Sequence, residues 1–117
     1  MAIYHIALVA DWEKAEQAGE YRISTRGRTL EEQGFIHASD LHQVLPTADF
    51  IYRDADAADL VVLVIDPTRL REGVEVRYED VPGSPDPFPH IFGPITPESV
   101  TGIRTLRRGE DGGFVLI

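Results

Sequence analysis

The chain has 117 residues, of which 43% are hydrophobic and 26% charged, and its formal net charge is −9. This composition is typical of one globular domain and excludes a disordered chain, while the negative charge argues against broad contact with nucleic acid or anionic membrane. The sequence has no cysteine, which excludes disulfides, thiol nucleophiles and thiolate metal sites, and its first residues lack a secretory signal pattern. We therefore expect a cytoplasmic single domain over residues 1–117, as a monomer or weak homodimer.

The first half of the chain predicts two strands separated by a helix and an irregular segment. Residues 3–9, IYHIALV, are apolar on both faces, which indicates an interior strand. Asp11 can cap a helix that Gly19 would end, because glycine readily adopts the left-handed conformation after the last turn. Residues 20–33 are polar and irregular, with one helical turn at their end, and residues 35–39, FIHAS, form the second strand.

The middle of the chain predicts a long helix followed by a buried strand. Asp40 can cap the helix, and the apolar residues after it recur at intervals of three and four residues up to Tyr52. Pro46 interrupts this pattern, so we expect either a kink or two short helices, the second opened by the proline. Residues 60–66 are the candidate central strand, since they are almost continuously apolar and Pro67 follows them.

The last part of the chain predicts further short strands. Residues 74–79 alternate between apolar and charged side chains, which indicates a strand with one solvated face. After a stiff, proline-rich loop over residues 82–89, we expect a short strand over 90–95. Two more strands, 100–108 and 114–117, are joined by a turn. Together the elements predict an α+β fold with mostly short strands and two or three short helices.

Three of the four histidines lie on strand-like segments. Alternation along the strands places His5, His37 and His90 on partly apolar faces, whereas His42 lies on the polar side of the predicted helix and should be solvated. An unpaired polar ring costs about 1–3 kcal/mol to bury, so valine would serve packing better at these positions. We therefore predict that at least two of the three line one cleft, where they are candidate catalytic residues.

Five further residues are candidates for ligand binding. Ser24, Thr25 and Arg26 lie in one loop and offer two hydroxyls and a guanidinium, which suits a phosphate group. Ser39 can bond a ligand hydroxyl or cap the helix that follows it, and Phe92 can stack on a flat ring or belong to the core. For Arg26 the alternative is an ordinary solvated side chain.

Three functional classes remain open on these residues. The imidazoles of His5, His37 and His90 could bind ribose or phosphate and move protons, since histidine titrates near neutral pH. They could instead form a three-histidine zinc site, although the tight spacings of a metal motif are absent and no metal is expected. They could also be structural histidines of a non-catalytic binding domain. The sequence lacks the motifs of kinases, Rossmann-type dehydrogenases, zincins and α/β-hydrolases, which disfavours those enzymes.

Five segments, IYHIA, STRG, EEQGFIHAS, LVVLVID and FPHIFGPI, occur in this order. With their spacing they resemble the bacterial family known as domain of unknown function 952, from about Ile3 to Val100. At the level of fold that family resembles the ADP-ribosyltransferase superfamily, which includes the RNA 2′-phosphotransferases. The resemblance implies a split antiparallel β-structure that holds NAD or an ADP-ribose-like ligand between two small sheets, with an ADP-ribosyl- or phosphotransferase-like activity.

The resemblance also implies roles for individual residues. His5 corresponds to the first-strand residue that holds the adenosine-side ribose of NAD, and residues 37–39 correspond to the segment near the nicotinamide. The strand that carries a catalytic glutamate in the superfamily aligns with HIFGPI, where His90 stands and no glutamate is present. The 2′-phosphotransferases rely on histidine and arginine instead, so a related reaction on an ADP-ribose-like ligand does not require that glutamate.

Overall fold

Antiparallel sheets and three helices build the protein, whose computed structural model describes all residues, 1–117. The helices are α1 (Val9–Ala18), α2 (Leu30–Gln33) and α3 (Leu41–Ile51). The strands are β1 (Ile3–Leu8), β2 (Ile23–Thr25), β3 (Arg28–Thr29), β4 (Ile36–His37), β5 (Leu60–Ile65), β6 (Glu75–Glu79), β7 (Phe88–Phe92), β8 (Val100–Arg108) and β9 (Phe114–Leu116). The predicted α+β class is confirmed. None of the helices has the length and hydropathy that a membrane crossing requires.

The main sheet has the order β1-β5-β8-β9. Its inner strand β5 was predicted from an apolar run, and the structure confirms it, because β5 sends residues into hydrophobic clusters on both faces of the sheet. β1 was predicted to be interior, which is wrong, because it lies at the edge of this sheet. Both of its faces are nevertheless covered, with Ile3 and Ala7 in one cluster and Ile6 in the other. Its outer edge pairs with Ser39, through two backbone hydrogen bonds to Tyr4 of 2.8 and 2.7 Å.

A second sheet has the order β4-β7-β6 and packs onto one face of the main sheet. Ile36 of β4 and Ile91 of β7 are opposed in register, and both are fully buried in the cluster between the two sheets. His37 and His90 are the next opposed pair, so alternation turns both to the other face of this sheet. β7 begins two residues earlier than predicted, because Pro89 keeps its carbonyl in the pairing and accepts from the backbone N–H of Ala38 at 3.0 Å.

The ends of the two longer helices, α1 and α3, test the predicted capping residues. α1 follows β1 directly, so its N-cap is Leu8 and the predicted capping role of Asp11 is wrong; Asp11 lies in the first turn. Gly19 ends α1 with φ of 87°, as predicted. α3 begins after Asp40, whose backbone N–H is accepted by the Gln43 side chain at 2.9 Å.

Pro46 lies within α3, which runs without a break from Leu41 to Ile51. The alternative of two short helices is therefore wrong. The proline deprives the carbonyl of His42 of its helical partner. His42 is exposed, so water can satisfy that carbonyl, and the apolar face of the helix still packs against the main sheet through Val44 and Ala48.

Candidate functional site

A small polar cleft lies where β1, β2, β4 and α3 meet. Its lining consists of His5, Ile6, Ser24, Thr25, His37, Ser39, Thr47, Ile51 and Tyr52. Five of these were predicted as site residues from three separate segments of the chain, and the fold brings them together. The cleft volume is about 10 Å³, which is room for about one ordered water. A ligand can therefore place only a small polar group inside it.

His5 is buried at the floor of the cleft and is only 3% exposed. Its Nδ1 lies 2.6 Å from the carbonyl oxygen of His37, to which it donates, and the hydroxyl of Tyr21 then donates to Nε2 across 2.8 Å. Burial lowers the pKa of His5 to about 4, so the ring is neutral at pH 7. Because both nitrogens are already bonded, His5 joins β1 to β4 and to Tyr21 and presents no free ring nitrogen to the cleft.

His37 also lines the cleft, but neither of its ring nitrogens bonds to the protein. Burial, and then the neighbouring His90, lower the pKa of His37 to about 4. The imidazole is therefore neutral at pH 7, with one N–H donor and one acceptor lone pair. Of the three predicted histidines, this is the one with unshared hydrogen-bonding capacity at the cleft.

His90 stands behind His37 and does not line the cleft. The two rings have centroids 5.5 Å apart. Nδ1 of His90 lies 2.7 Å from Oε1 of Glu79, and Phe35 stacks on the ring with centroids 3.9 Å apart. Nε2 is buried and has no hydrogen-bond partner. His90 is thus enclosed by an aromatic ring and a carboxylate, with one polar atom unpaired.

Arg26, in the turn between β2 and β3, does not line the cleft but contacts Ile51 and Tyr52 at its edge, which do. Its Nη1 donates to the carbonyl of Ile51 at 3.0 Å and to the carboxylate of Asp54, and the guanidinium lies 5.5 Å from the ring centroid of Tyr52. Its other N–H groups make no bond within the protein. Inside the cleft the hydroxyl of Ser24 is fully buried and has no hydrogen-bond partner. The cleft therefore combines an unpaired hydroxyl with a cationic rim.

The remaining predicted residues fall into two groups. Ser39 lines the cleft, and its alternative role as a helix cap is wrong because Asp40 is the N-cap of α3. Phe92 lies outside the cleft, against Phe35 at 5.7 Å and under the guanidinium of Arg77 at 4.6 Å. His42 is exposed beside Asp86, as its place on the polar side of the helix predicted.

The geometry does not favour a zinc site formed by the three histidines. Both nitrogens of His5 are bonded to protein atoms, so this ring has none left for a metal, whereas Nε2 of His90 is unbonded. No group of three or more histidine, cysteine, aspartate or glutamate residues is arranged to hold a metal ion. The alternative of structural histidines describes His5 well, since its bonds are complete, but it leaves the free ring of His37 unexplained.

Two residues of this region were not foreseen. Tyr21 lies in a segment predicted to be irregular and polar, yet it is 2% exposed and pairs through its backbone with Ile95. Glu79 lies on the charged face of the predicted strand over 74–79, but it was not predicted to be a site residue. Alternation was a signal for that face, but only the pairing of β6 with β7 shows that Glu79 meets His90.

These features define an α+β protein of three antiparallel sheets, one of them the two-stranded β2-β3, with a small, polar, histidine-lined cleft. The chain belongs to the family described as protein of unknown function (DUF952), whose model matches residues 6–103. It is also similar to protein CC0527 of Caulobacter crescentus, a structural genomics target. The two sequences are 29% identical. The crystal structure of that protein aligns over 98% of this chain and 94% of the Caulobacter chain, with a TM-score of 0.80.

Two further structures of the same Caulobacter crescentus protein agree with this match. The crystal structure of a double mutant aligns over 98% of this chain and 94% of the mutant chain, with 28% sequence identity and a TM-score of 0.80. The solution NMR structure aligns over 96% of this chain and 90% of the Caulobacter chain, with 29% sequence identity and a TM-score of 0.74. No protein of curated function matches the sequence.

Proposed function

We propose that the protein binds a small molecule that contains ribose and phosphate, of the NAD or ADP-ribose kind, at the histidine-lined cleft. One observation carries this proposal: the free, neutral ring of His37 and the unpaired hydroxyl of Ser24 line one cleft, with the guanidinium of Arg26 at its mouth. Buried polar groups are normally paired, so the buried, unpaired hydroxyl of Ser24 favours a bound partner, and the part-exposed ring of His37 beside it can bond the same partner.

The chemistry of the lining suits ribose better than an apolar ligand. The hydroxyls of Ser24 and Thr25 and the imidazole of His37 can each donate or accept, which matches the donor and acceptor character of a sugar hydroxyl. With a volume of about 10 Å³ the cleft takes a hydroxyl or a phosphate oxygen, and the rest of the ligand lies along its mouth.

Arg26 would bind the phosphate. Its Nε and Nη2 are unbonded and can form the fork that a phosphate accepts, and its ion pair with Asp54 is exposed, hence weak and replaceable. The C-terminal end of α3 would otherwise repel an anion. Arg26 bonds to the carbonyl of Ile51 there, and Arg108 bonds to the carbonyls of Arg53 and Ala55 just beyond, which offsets the negative end of the helix dipole.

An ADP-ribosyltransferase-like arrangement and a transferase-like reaction belong to the same proposal. The support is the antiparallel sheets beside the cleft, with residues 37–39 facing the first strand. His5 on that strand would shape the cleft without bonding the ligand, since both its ring nitrogens are bonded to the protein, and His90 would act as an orienting group behind His37. The net charge of −9 favours such a small-molecule ligand over bulk nucleic acid.

Calorimetric titration with ADP-ribose and with NAD tests this function. We expect His37→Asn and Arg26→Gln each to weaken binding about tenfold or more, because each removes a hydrogen bond that involves a free polar or charged group. Arg28→Gln is the matched control, since Arg28 is exposed, lies on the adjacent strand and makes no ion pair. Equal affinity of all three variants, or no binding of either ligand at millimolar concentration, would contradict the proposal.

A further inference from the structure

The second sheet carries a row of directly opposed side chains behind the cleft. His90 on the middle strand β7 is opposite His37 of β4 on one side and opposite Arg77 of β6 on the other. Directly opposed residues of antiparallel strands share a face and lie close together. His37 lines the cleft at one end of this row, and Glu79, two residues after Arg77 on β6, reaches His90 from the other end.

The contact with Glu79 determines which nitrogen of His90 carries the proton. A carboxylate only accepts hydrogen bonds, so Nδ1, at 2.7 Å from Oε1 of Glu79, is the donor. In the neutral ring Nε2 then has a lone pair, and this atom is buried without a partner although His90 is only 4% exposed. A buried lone pair that is left unpaired requires an explanation, such as a partner that the free protein lacks.

The unpaired nitrogen of His90 points away from Glu79. The two nitrogens of an imidazole point in diverging directions, and β6 and β4 flank β7 on opposite sides. Nδ1 meets Glu79 of β6, which leaves Nε2 for the part of the ring away from Glu79, and His37 of β4 is the neighbour on the other side of β7. The centroids of the two rings are 5.5 Å apart, so a modest rotation of the part-exposed His37 ring brings one of its nitrogens within hydrogen-bond distance of Nε2.

We propose that Glu79, acting through His90, fixes the tautomer of His37 so that the cleft recognises a ligand hydroxyl as a hydrogen-bond donor. In the bound state His37 donates its N–H to Nε2 of His90, and its other nitrogen keeps a lone pair that faces the cleft. This lone pair accepts from a hydroxyl, such as that of ribose, and disfavours a bare phosphate oxygen. The inference rests on the proposed function and specifies its ligand; Glu79 is a positioning residue in it.

The experiment compares Glu79→Ala, Glu79→Gln and the control Glu75→Ala. Glu75 lies on the same face of β6, but its side chain is 65% exposed and meets only Arg77. Nitrogen-15 NMR of the histidine rings reports the tautomers, calorimetry gives the affinities for ADP-ribose and inorganic phosphate, and thermal melting reports the fold. Glu79→Gln keeps the shape of the side chain if Glu79→Ala loosens the sheet.

In the unchanged protein we expect the neutral ring of His90 to carry its proton on Nδ1. When ADP-ribose is added, we expect His37 to adopt a single tautomer. Both Glu79 variants should give mixed tautomers in these rings and about tenfold weaker binding of ADP-ribose, with no loss of affinity for phosphate, and Glu75→Ala should alter none of these. Unchanged tautomers in the Glu79 variants would overturn the inference, as would altered tautomers with full affinity for ADP-ribose.

The free protein separates this inference from the proposed function. If the unchanged protein binds no ADP-ribose, the proposed function fails. The ring signals of His90 in the free protein then still test the contact on which the inference depends, because a His90 tautomer that does not change in Glu79→Ala excludes control by Glu79.

Discussion

Lowering the pH from 7 to 5 is expected to reduce the free energy of unfolding by about 4 kcal/mol, about 2 kcal/mol for each of His5 and His37. Burial lowers both pKa values from 6.5 to about 4 in the folded protein. Between these values the unfolded chain binds more protons than the folded one. Stability therefore falls as the pH decreases through this window, and the loss is complete below about pH 4.

Urea denaturation at pH 7, 6 and 5 measures this effect. The range stops at pH 5 because Glu20, Asp54 and Asp66 have lowered pKa values, and their own contribution is lost at more acidic pH. We expect His37→Asn to remove about half of the pH dependence. A stability that is constant from pH 7 to pH 5 would show that the two rings are not buried in the neutral form.

Replacing Arg108 by alanine is expected to destabilise the protein by about 2–4 kcal/mol. Its guanidinium donates to the carbonyls of Tyr52, Arg53 and Ala55 just after α3, at 3.4, 2.7 and 2.7 Å, and to that of Gly112 at 2.9 Å. These four carbonyls lose their shared donor in the variant. The cation also lies 3.8 Å from the ring centroid of a core phenylalanine, a contact that adds to the loss.

Arg107→Ala is the matched control for this prediction. Arg107 is the neighbouring residue on β8, it is exposed, and it makes no hydrogen bond or ion pair, so its replacement should change the free energy of unfolding by less than about 0.5 kcal/mol. Thermal melting at neutral pH compares the two variants. If Arg108→Ala has the same melting temperature as Arg107→Ala, the prediction is wrong and the apolar core alone stabilises the end of α3. If the prediction holds, Arg108 also fixes the wall of the cleft formed by Ile51 and Tyr52.

The elements that could be predicted from the sequence are those that local rules determine. The apolar run of β5 requires burial on both faces, Gly19 supplies the left-handed turn after α1, and Asp40 occupies the N-cap of α3. His5 and His37 are polar residues on strand faces that are otherwise apolar, and for this reason they were predicted to line one cleft. Both line the cleft.

The features that could not be predicted depend on contacts between distant segments. The position of β1 at a sheet edge is compatible with its apolar faces, because Ser39 and both core clusters cover it. The completed bonds of His5 require Tyr21, which lies 16 residues away in the sequence. The contact of Glu79 with His90 depends on the register of two strands, and alternation alone does not specify a register.

The most direct test of a ligand at the cleft is an NMR titration with ADP-ribose that follows the ring signals of the four histidines. We expect the signals of His37 to shift strongly and those of His90 to shift with them, since the ring of His90 lies behind His37. The signals of the exposed His42 should not move. A titration to millimolar concentration in which the His37 signals stay unchanged would contradict the central claim that this free imidazole is a ligand-binding group.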